Sequence, residues 1–390
     1  MVINKWAVII CVIAFSASDF VVFAAEEKSV AADTLQQTTE RSEESGSEEG
    51  RELVQLQILF RHGMRAPDQT FPGDLNPIDV WREGVGRLTQ HGKYQMYCLG
   101  RHLRWLYRNF ITASPVEVEV LSSKRNRCLL SALCLASAMY EPTEEWEFLP
   151  NFRWQPIPVQ FIAHGKDPYL GKVFDCPAAQ REVEKMHESP EGKKFLNENK
   201  ELFEYWAMHS GLKVRSWKDA ATLFDALNME KTYNFLIPDW AEKHWEELRY
   251  VNDMSYYLSG RTKKYQTLRA GPLLGMIRDK FENTVNGTLL KKVSLYSGHS
   301  KNMVAVLSAL DVFNMKEPPF AATVIFELYR EPGGHSHSVR LLFLNSTTPE
   351  AEDQTPNVLN MPMCGEFCPF ELFSTVVKSF TPENWEKQCR

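Results

Sequence analysis

The sequence predicts an α/β fold in which strand, polar turn and helix follow one another three times around one sheet. Val54-Gln55-Leu56-Gln57-Ile58-Leu59-Phe60 alternates at period two before Arg61-His62-Gly63. Val116-Glu117-Val118-Glu119-Val120 alternates before the turn from Ser122 to Arg127, and Leu129 to Met139 then reads as an apolar helix. Val293-Ser294-Leu295-Tyr296 leads into Ser297-Gly298-His299-Ser300, with a helical pattern from Met303 to Leu310. In open α/β sheets the ligand crevice lies beyond the carboxyl ends of the strands, so the three turns are expected to meet there.

The remaining elements follow in chain order. After Lys5, the apolar run from Trp6 to Phe15 and the weaker one ending at Ala25 read as an export signal, residues 1–24, cleaved after Ala24. A membrane anchor is the rival reading, but Ser16, Ser18 and Asp19 interrupt the stretch. The signal implies a secreted protein with no stable membrane association once it is cleaved. Residues 25–52 are rich in Glu, Ser and Thr and read as a flexible acidic leader. The rest, 53–390, is expected to be one domain. Leu88-Thr89-Gln90-His91-Gly92 starts a helix running to about Tyr107, and residues 176–262 read as a helical insertion. Ala322 to Tyr329 and Val339 to Leu344 return to strand, broken by Pro332-Gly333-Gly334.

Composition narrows the function. With 44% hydrophobic and 12% aromatic residues the chain is rich enough to build a core. A net charge of -6 argues against nucleic acid as a partner, although a locally basic pocket can exist in an acidic chain. Seven of the eight cysteines follow the signal, so an odd one is left outside intramolecular disulfides. Cys364 and Cys368 could close a small loop, and no further close pair makes a zinc site of them. Asn286-Gly287-Thr288 and Asn345-Ser346-Thr347 are glycosylation sequons. His91, His102, His164, His187, His209, His244, His335 and His337 lack metal-ligand spacing with a carboxylate. The Trp- and Glu-rich stretch from Trp240 to Tyr257 reads as a solvated amphipathic helix.

The chemistry concentrates in Arg61-His62-Gly63-Met64-Arg65-Ala66-Pro67. A histidine at a strand end can attack phosphorus through a ring nitrogen. The forked donors of Arg61 and Arg65 match phosphate oxygens, and Gly63 would let the backbone approach them. Five fixed positions over seven residues arise by chance in roughly one in ten thousand chains of this length, so the run is a strong signal.

That run resembles the signature of the histidine acid phosphatases. Leu121-Ser122-Ser123-Lys124-Arg125-Asn126-Arg127 resembles the family's second block, with the family arginine falling on Arg127 and Arg125 as its rival. Gly86 to Gly92, Trp154 to Pro158, Gly271 to Leu274 and Cys364 to Pro369 are similar too, so the likeness spans about residues 53 to 389. It looks nearest to the insect venom and secreted acid phosphatases. The resemblance implies a phosphoglycerate mutase-like, three-layer α/β core with a helical insertion. It also implies a small-molecule phosphomonoester as substrate, and neither metal nor other cofactor. By position, His62 and His299 would be catalytic, with His62 the nucleophile. Arg61, Arg65, Arg127 and His299 would hold the phosphate, unless His299 is simply a structural histidine. Disulfides Cys364–Cys368 and Cys176–Cys389 are implied as well. The oligomeric state is left open, with a homodimer among the options.

One position departs from the pattern. The family follows its second histidine with Asp or Glu, which protonates the leaving alkoxide; this chain has Ser300. A hydroxyl is a poor acid, so slow turnover of alkyl phosphates is expected, and a binding protein without turnover is the alternative reading. A glycolytic mutase of the same superfamily does not suit an exported chain.

Overall fold

Strand β1 (Glu52–Arg61) lies inside the sheet and is buried on both faces from Val54 onward. It begins within the stretch assigned to the leader, where the Glu52 carboxylate pairs with Arg330 at 2.5 Å. The computed structural model describes residues 50–163, 165–172, 175–288, 291–345 and 354–390. The export signal 1–24, the leader through residue 49 and His164 lie outside the described residues.

The other strands are β2 (Val118–Ser122), β3 (Val159–Phe161), β4 (Val293–Gly298), β5 (Thr323–Arg330), β6 (His337–Leu344), β7 (Asn357–Val358) and β8 (Phe367–Pro369). Their order across the sheet is β3-β2-β4-β1-β5-β6-β7, with β8 also on β6. β3, β2, β4 and β1 run parallel, whereas β5 is antiparallel to β1 and forms a hairpin with β6 across Pro332-Gly333-Gly334. Val116 and Glu117 belong to the turn before β2 rather than to the strand.

Helices α1 (Gln90–Leu106) and α2 (Asn126–Met139) cover one face. Leu56, Ile58 and Phe60 of β1 pack there with Met96, Leu99 and Leu135. Six helices form the insertion: α3 (Pro177–Glu188), α4 (Pro190–Glu198), α5 (Lys200–Ser210), α6 (Trp217–Thr232), α7 (Asp239–Lys243) and α8 (Trp245–Gly260). Most of it packs on its own core, around Phe203, Trp206, Trp217, Leu223 and Leu248. Helices α9 (Lys263–Arg269), α10 (Gly271–Val285), α11 (Ser300–Ala309), α12 (Phe370–Lys378) and α13 (Trp385–Cys389) complete the chain. α10, α11 and α12 cover the second sheet face through Ile277, Phe281, Met303 and Phe373. The result is a three-layer α/β/α core.

The polar side chains on one face of the alternating β1, Gln55 and Gln57, are buried. Helix α10 covers that face, so the amides bond inward: Gln57 donates to the Ile277 carbonyl at 3.3 Å and accepts from the Tyr296 hydroxyl at 2.5 Å. A buried amide costs little when its partners are supplied this way. The Trp240–Tyr257 segment, expected to be one amphipathic helix, is divided between α7 and α8; Leu248 and Val251 are buried, and Tyr256 turns toward the site described below.

Cys176 is bonded to Cys389 and Cys364 to Cys368. The first link ties the start of the insertion to α13; among the described residues Cys98, Cys128 and Cys134 form no disulfide. The sequon asparagines Asn286 and Asn345 are both exposed.

Candidate active site

Parallel pairing brings the carboxyl ends of β1, β2 and β4 to one edge. Arg61 stands opposite Gly298 and Ser122 opposite Ser297. The backbone continues the pairing, with His62 N donating to Gly298 O at 3.1 Å and Ser123 N to Ser297 O at 2.9 Å. Helix α2 starts at Asn126 and α11 at Ser300, so two helix amino ends open onto the same place and favour an anion.

His62 is buried in the middle. Its Nδ1 lies 2.9 Å from the Gly63 carbonyl oxygen, and its Nε2 lies 3.1 Å from Arg127 Nε. A carbonyl only accepts and a guanidinium N–H only donates, so the proton belongs on Nδ1 and the lone pair on Nε2. The Gly63 position has a different reason from the one read in the sequence. A Cβ there would sit 2.3 Å from the Gly92 carbonyl oxygen, and one on Gly92 would sit 2.0 Å from Met64 O. The two glycines let the signature loop press against the first turn of α1, which Thr89 caps by accepting from Gly92 N at 3.1 Å.

Three buried arginines surround His62, each fixed by a carboxylate. Arg65 Nη2 donates to both oxygens of Asp225, at 2.9 and 3.0 Å. Arg127 Nη1 donates to Asp68 at 3.2 Å and to Gly86 O at 3.1 Å. Arg61 Nη1 is 2.8 Å from Glu317 and also donates to Pro318 O, while its guanidinium lies over the Phe320 ring. Buried cations without such partners would be strongly destabilising. Arg61 Nε and Arg65 Nε, both buried, donate to no atom of the described residues. Arg125 is exposed, on the rim of a cleft of about 470 Å³ that Arg127, Lys124 and Lys172 also line.

His299 stands edge-on to His62, with ring centroids 5.4 Å apart. Its Nε2 is 3.1 Å from Ser123 Oγ and 3.7 Å from Cys128 Sγ. Burial pushes the Cys128 thiol up to about 12, so it stays protonated. Asn302 accepts from His299 N at 3.0 Å and fixes the turn into α11. Next to it, Ser300 Oγ is 3.1 Å from the Tyr256 hydroxyl, which donates to Glu317 Oε1 at 2.7 Å. Asp225, Glu317, Tyr256 and Asp68 were not singled out from the sequence. They belong to the insertion and to loops without any local pattern.

Burial, followed by repulsion from Arg127, holds both His62 and His299 well below the usual histidine range near 6.5. A nitrogen kept neutral in this way stays nucleophilic in acid, where an ordinary imidazole would be protonated. The same shift carries a stability consequence. The unfolded histidines take up protons below about pH 6.5 that the folded ones refuse, so the contribution of the pair is present above that value and is lost as pH falls below it. Thermal melts of the phosphate-free protein should therefore show Tm falling between about pH 7 and pH 5, with a shallower slope in His299→Gln. An equal slope in that variant would disprove the contribution of His299.

Among the described residues no group of three or more His, Cys, Asp or Glu side chains is placed to hold a metal ion. No described helix is long and apolar enough to cross a membrane. The arrangement offers a neutral nitrogen nucleophile inside a ring of guanidinium donors, which suits attack on a tetrahedral oxyanion.

The family model for the histidine phosphatase superfamily (branch 2) matches residues 52–344. Lysosomal acid phosphatase of Xenopus laevis is 32% identical over 354 residues, covering 88% of this chain and 80% of that protein. Prostatic acid phosphatase of Homo sapiens is 31% identical over 350 residues, covering 87% and 88%. Among solved structures, the phytase of Citrobacter braakii superposes with a TM-score of 0.67 at 18% identity, over 87% of this chain and 99% of that one. At that identity the likeness speaks for the fold alone.

Proposed function

Because the chain belongs to the histidine phosphatase superfamily (branch 2), we propose that it is a secreted acid phosphatase that hydrolyses phosphomonoesters through a phosphohistidine on His62. The observation that carries this reading is the His62 ring: Nδ1 bonded to Gly63 O, and Nε2 presented beside the Arg127 fork. In-line attack by Nε2 forms the N–P bond as the ester P–O bond breaks, and water then releases phosphate from His62. Arg61, Arg65 and Arg127 neutralise the equatorial oxygens, and the unspent Nε–H groups of Arg61 and Arg65 suit that task. His299 adds a further donor or acceptor through Nε2. The acid phosphatase relatives at 31–32% identity support the reaction class.

Ser300 makes leaving-group protonation the weak step. General acid catalysis is typically worth about 10²- to 10⁴-fold, and it matters least for a leaving group that is already stable as an anion. Ser300→Asp is therefore expected to raise hydrolysis of glycerol 2-phosphate by roughly tenfold or more, with little change for p-nitrophenyl phosphate. Position 300 is the first residue of α11, where a carboxylate also favours the helix. Parallel assays of the two substrates check this; an unchanged alkyl rate would mean that position 300 is not where the acid is missing.

Ser300 also favours a second reading, a secreted venom- or saliva-type protein that binds phosphoesters without turning them over. That protein would be stabilised by phosphate yet release none above His62→Ala. Measurable His62-dependent release excludes it.

A further inference from the structure

We propose that the basic cleft beside the phosphate site selects esters whose organic part carries a second anionic group, a phosphate or a carboxylate. This names a substrate class, and it rests on the phosphatase reading above. At about 470 Å³ the cleft is of the size that takes a small ligand. It also shares walls with the site itself. Arg127 and Ser123 both line it. Arg127 Nε lies 3.1 Å from His62 Nε2, and Ser123 Oγ lies 3.1 Å from His299 Nε2. The organic part of an ester whose phosphate sits on Arg127 can thus extend into the cleft.

The charge balance of the cleft runs against that of the chain. The whole sequence carries a net charge of -6, yet Arg87, Lys124, Arg125, Arg127 and Lys172 line this one space. Its carboxylates are engaged elsewhere. Asp68 pairs with Arg127, Asp167 accepts from the backbone N–H groups of Tyr169 and Leu170, and Asp175 accepts from that of Lys172. Among the described residues no carboxylate forms an ion pair with Lys124, Arg125 or Lys172. Burial, then repulsion from Arg127 and Arg125, draws the Lys172 ammonium down to about 8, so it remains charged in acid. Lys172 also stands near enough to His299 to oppose its protonation, which places its charge beside the reacting phosphate. An anion set among these cations relieves their mutual repulsion, and a neutral group in the same place does not. Lys124 and Arg125 are exposed on the rim, where the Arg125 fork suits phosphate or carboxylate oxygens.

The test uses matched esters on the full chain: fructose 1,6-bisphosphate against fructose 6-phosphate, and 3-phosphoglycerate against glycerol 3-phosphate. Phosphate release that is lost in His62→Ala establishes the phosphatase reading by itself. The second anion should then raise kcat/KM by about tenfold or more in at least one pair, chiefly through KM, as a few partly exposed charge contacts can supply. The pair that shows the rise tells a phosphate from a carboxylate. Lys124→Glu combined with Arg125→Glu should abolish the preference, with a much smaller effect on the ester that lacks the second anion. Should that double variant fold poorly, Lys172→Gln carries the same prediction of a charge-dependent loss. If no ester is turned over, the phosphatase reading fails, and calorimetric Kd values for the same pairs on wild type and the double variant decide the cleft separately. Equal values within both pairs, or a preference that survives the charge reversal, overturn the proposal.

Discussion

Replacing His62 by alanine is expected to lower phosphate release from p-nitrophenyl phosphate by on the order of 10⁴-fold or more. The three arginines persist in that variant, so inorganic phosphate should still raise its Tm. The separation matters because each arginine has an anchor besides His62: Asp225 holds Arg65, Asp68 and Gly86 O hold Arg127, and Glu317 and Pro318 O hold Arg61. Rapid quenching of wild type with labelled substrate, followed by analysis under alkaline conditions that preserve phosphohistidine, should trap label on residue 62. Residual His62→Ala turnover within tenfold of wild type would overturn the assignment of the nucleophile.

Arg127→Ala is expected to cost about 10²- to 10³-fold in kcat, the range seen when one donor to developing transition-state charge is removed. Arg127 is the arginine whose Nε donates directly to His62 Nε2, the proposed nucleophile, at 3.1 Å, while Nη1 is anchored on Asp68 and Gly86 O. Lysine should rescue poorly, because a single ammonium cannot face His62 and hold both anchors at once. The variant should also change its pH dependence. After burial, Arg127 is the largest influence holding His62 below the usual range. Its removal lets His62 protonate at higher pH, so the acid limb of the kcat/KM profile should move upward. Full pH profiles of wild type, Arg127→Ala and Arg127→Lys check this; an unmoved acid limb in Arg127→Ala would show that the guanidinium does not govern His62.

Much of this site is legible along the chain because its central residues sit at strand ends. The turns after Phe60, Leu121 and Tyr296 carry His62, Arg127 and His299, and parallel register alone brings such turns together. The choice between Arg125 and Arg127 was open, since both are cations in one turn. The first turn of α2 settles their placement by sending Arg127 inward and leaving Arg125 exposed. Alternation along β1 reports chemistry along the strand, and it cannot report that α10 will cover the second face.

By itself the sequence determined the α/β class and the run Arg61-His62-Gly63-Met64-Arg65, which are local matters of residue type, spacing and strand period. The family resemblance added the expectations that Arg127 belongs to the site and that Ser300 stands where an acid is usual. Only the tertiary structure decided what stands around them. Asp225 lies 160 residues from Arg65 and Tyr256 lies 44 from Ser300, yet folding puts them within hydrogen-bond distance. Glu317 follows α11 in an irregular loop and meets Arg61 and Tyr256 only because the insertion closes over the ends of β1 and β4. Periodicity carries no trace of such contacts, because they depend on three-dimensional packing rather than on neighbours in the chain.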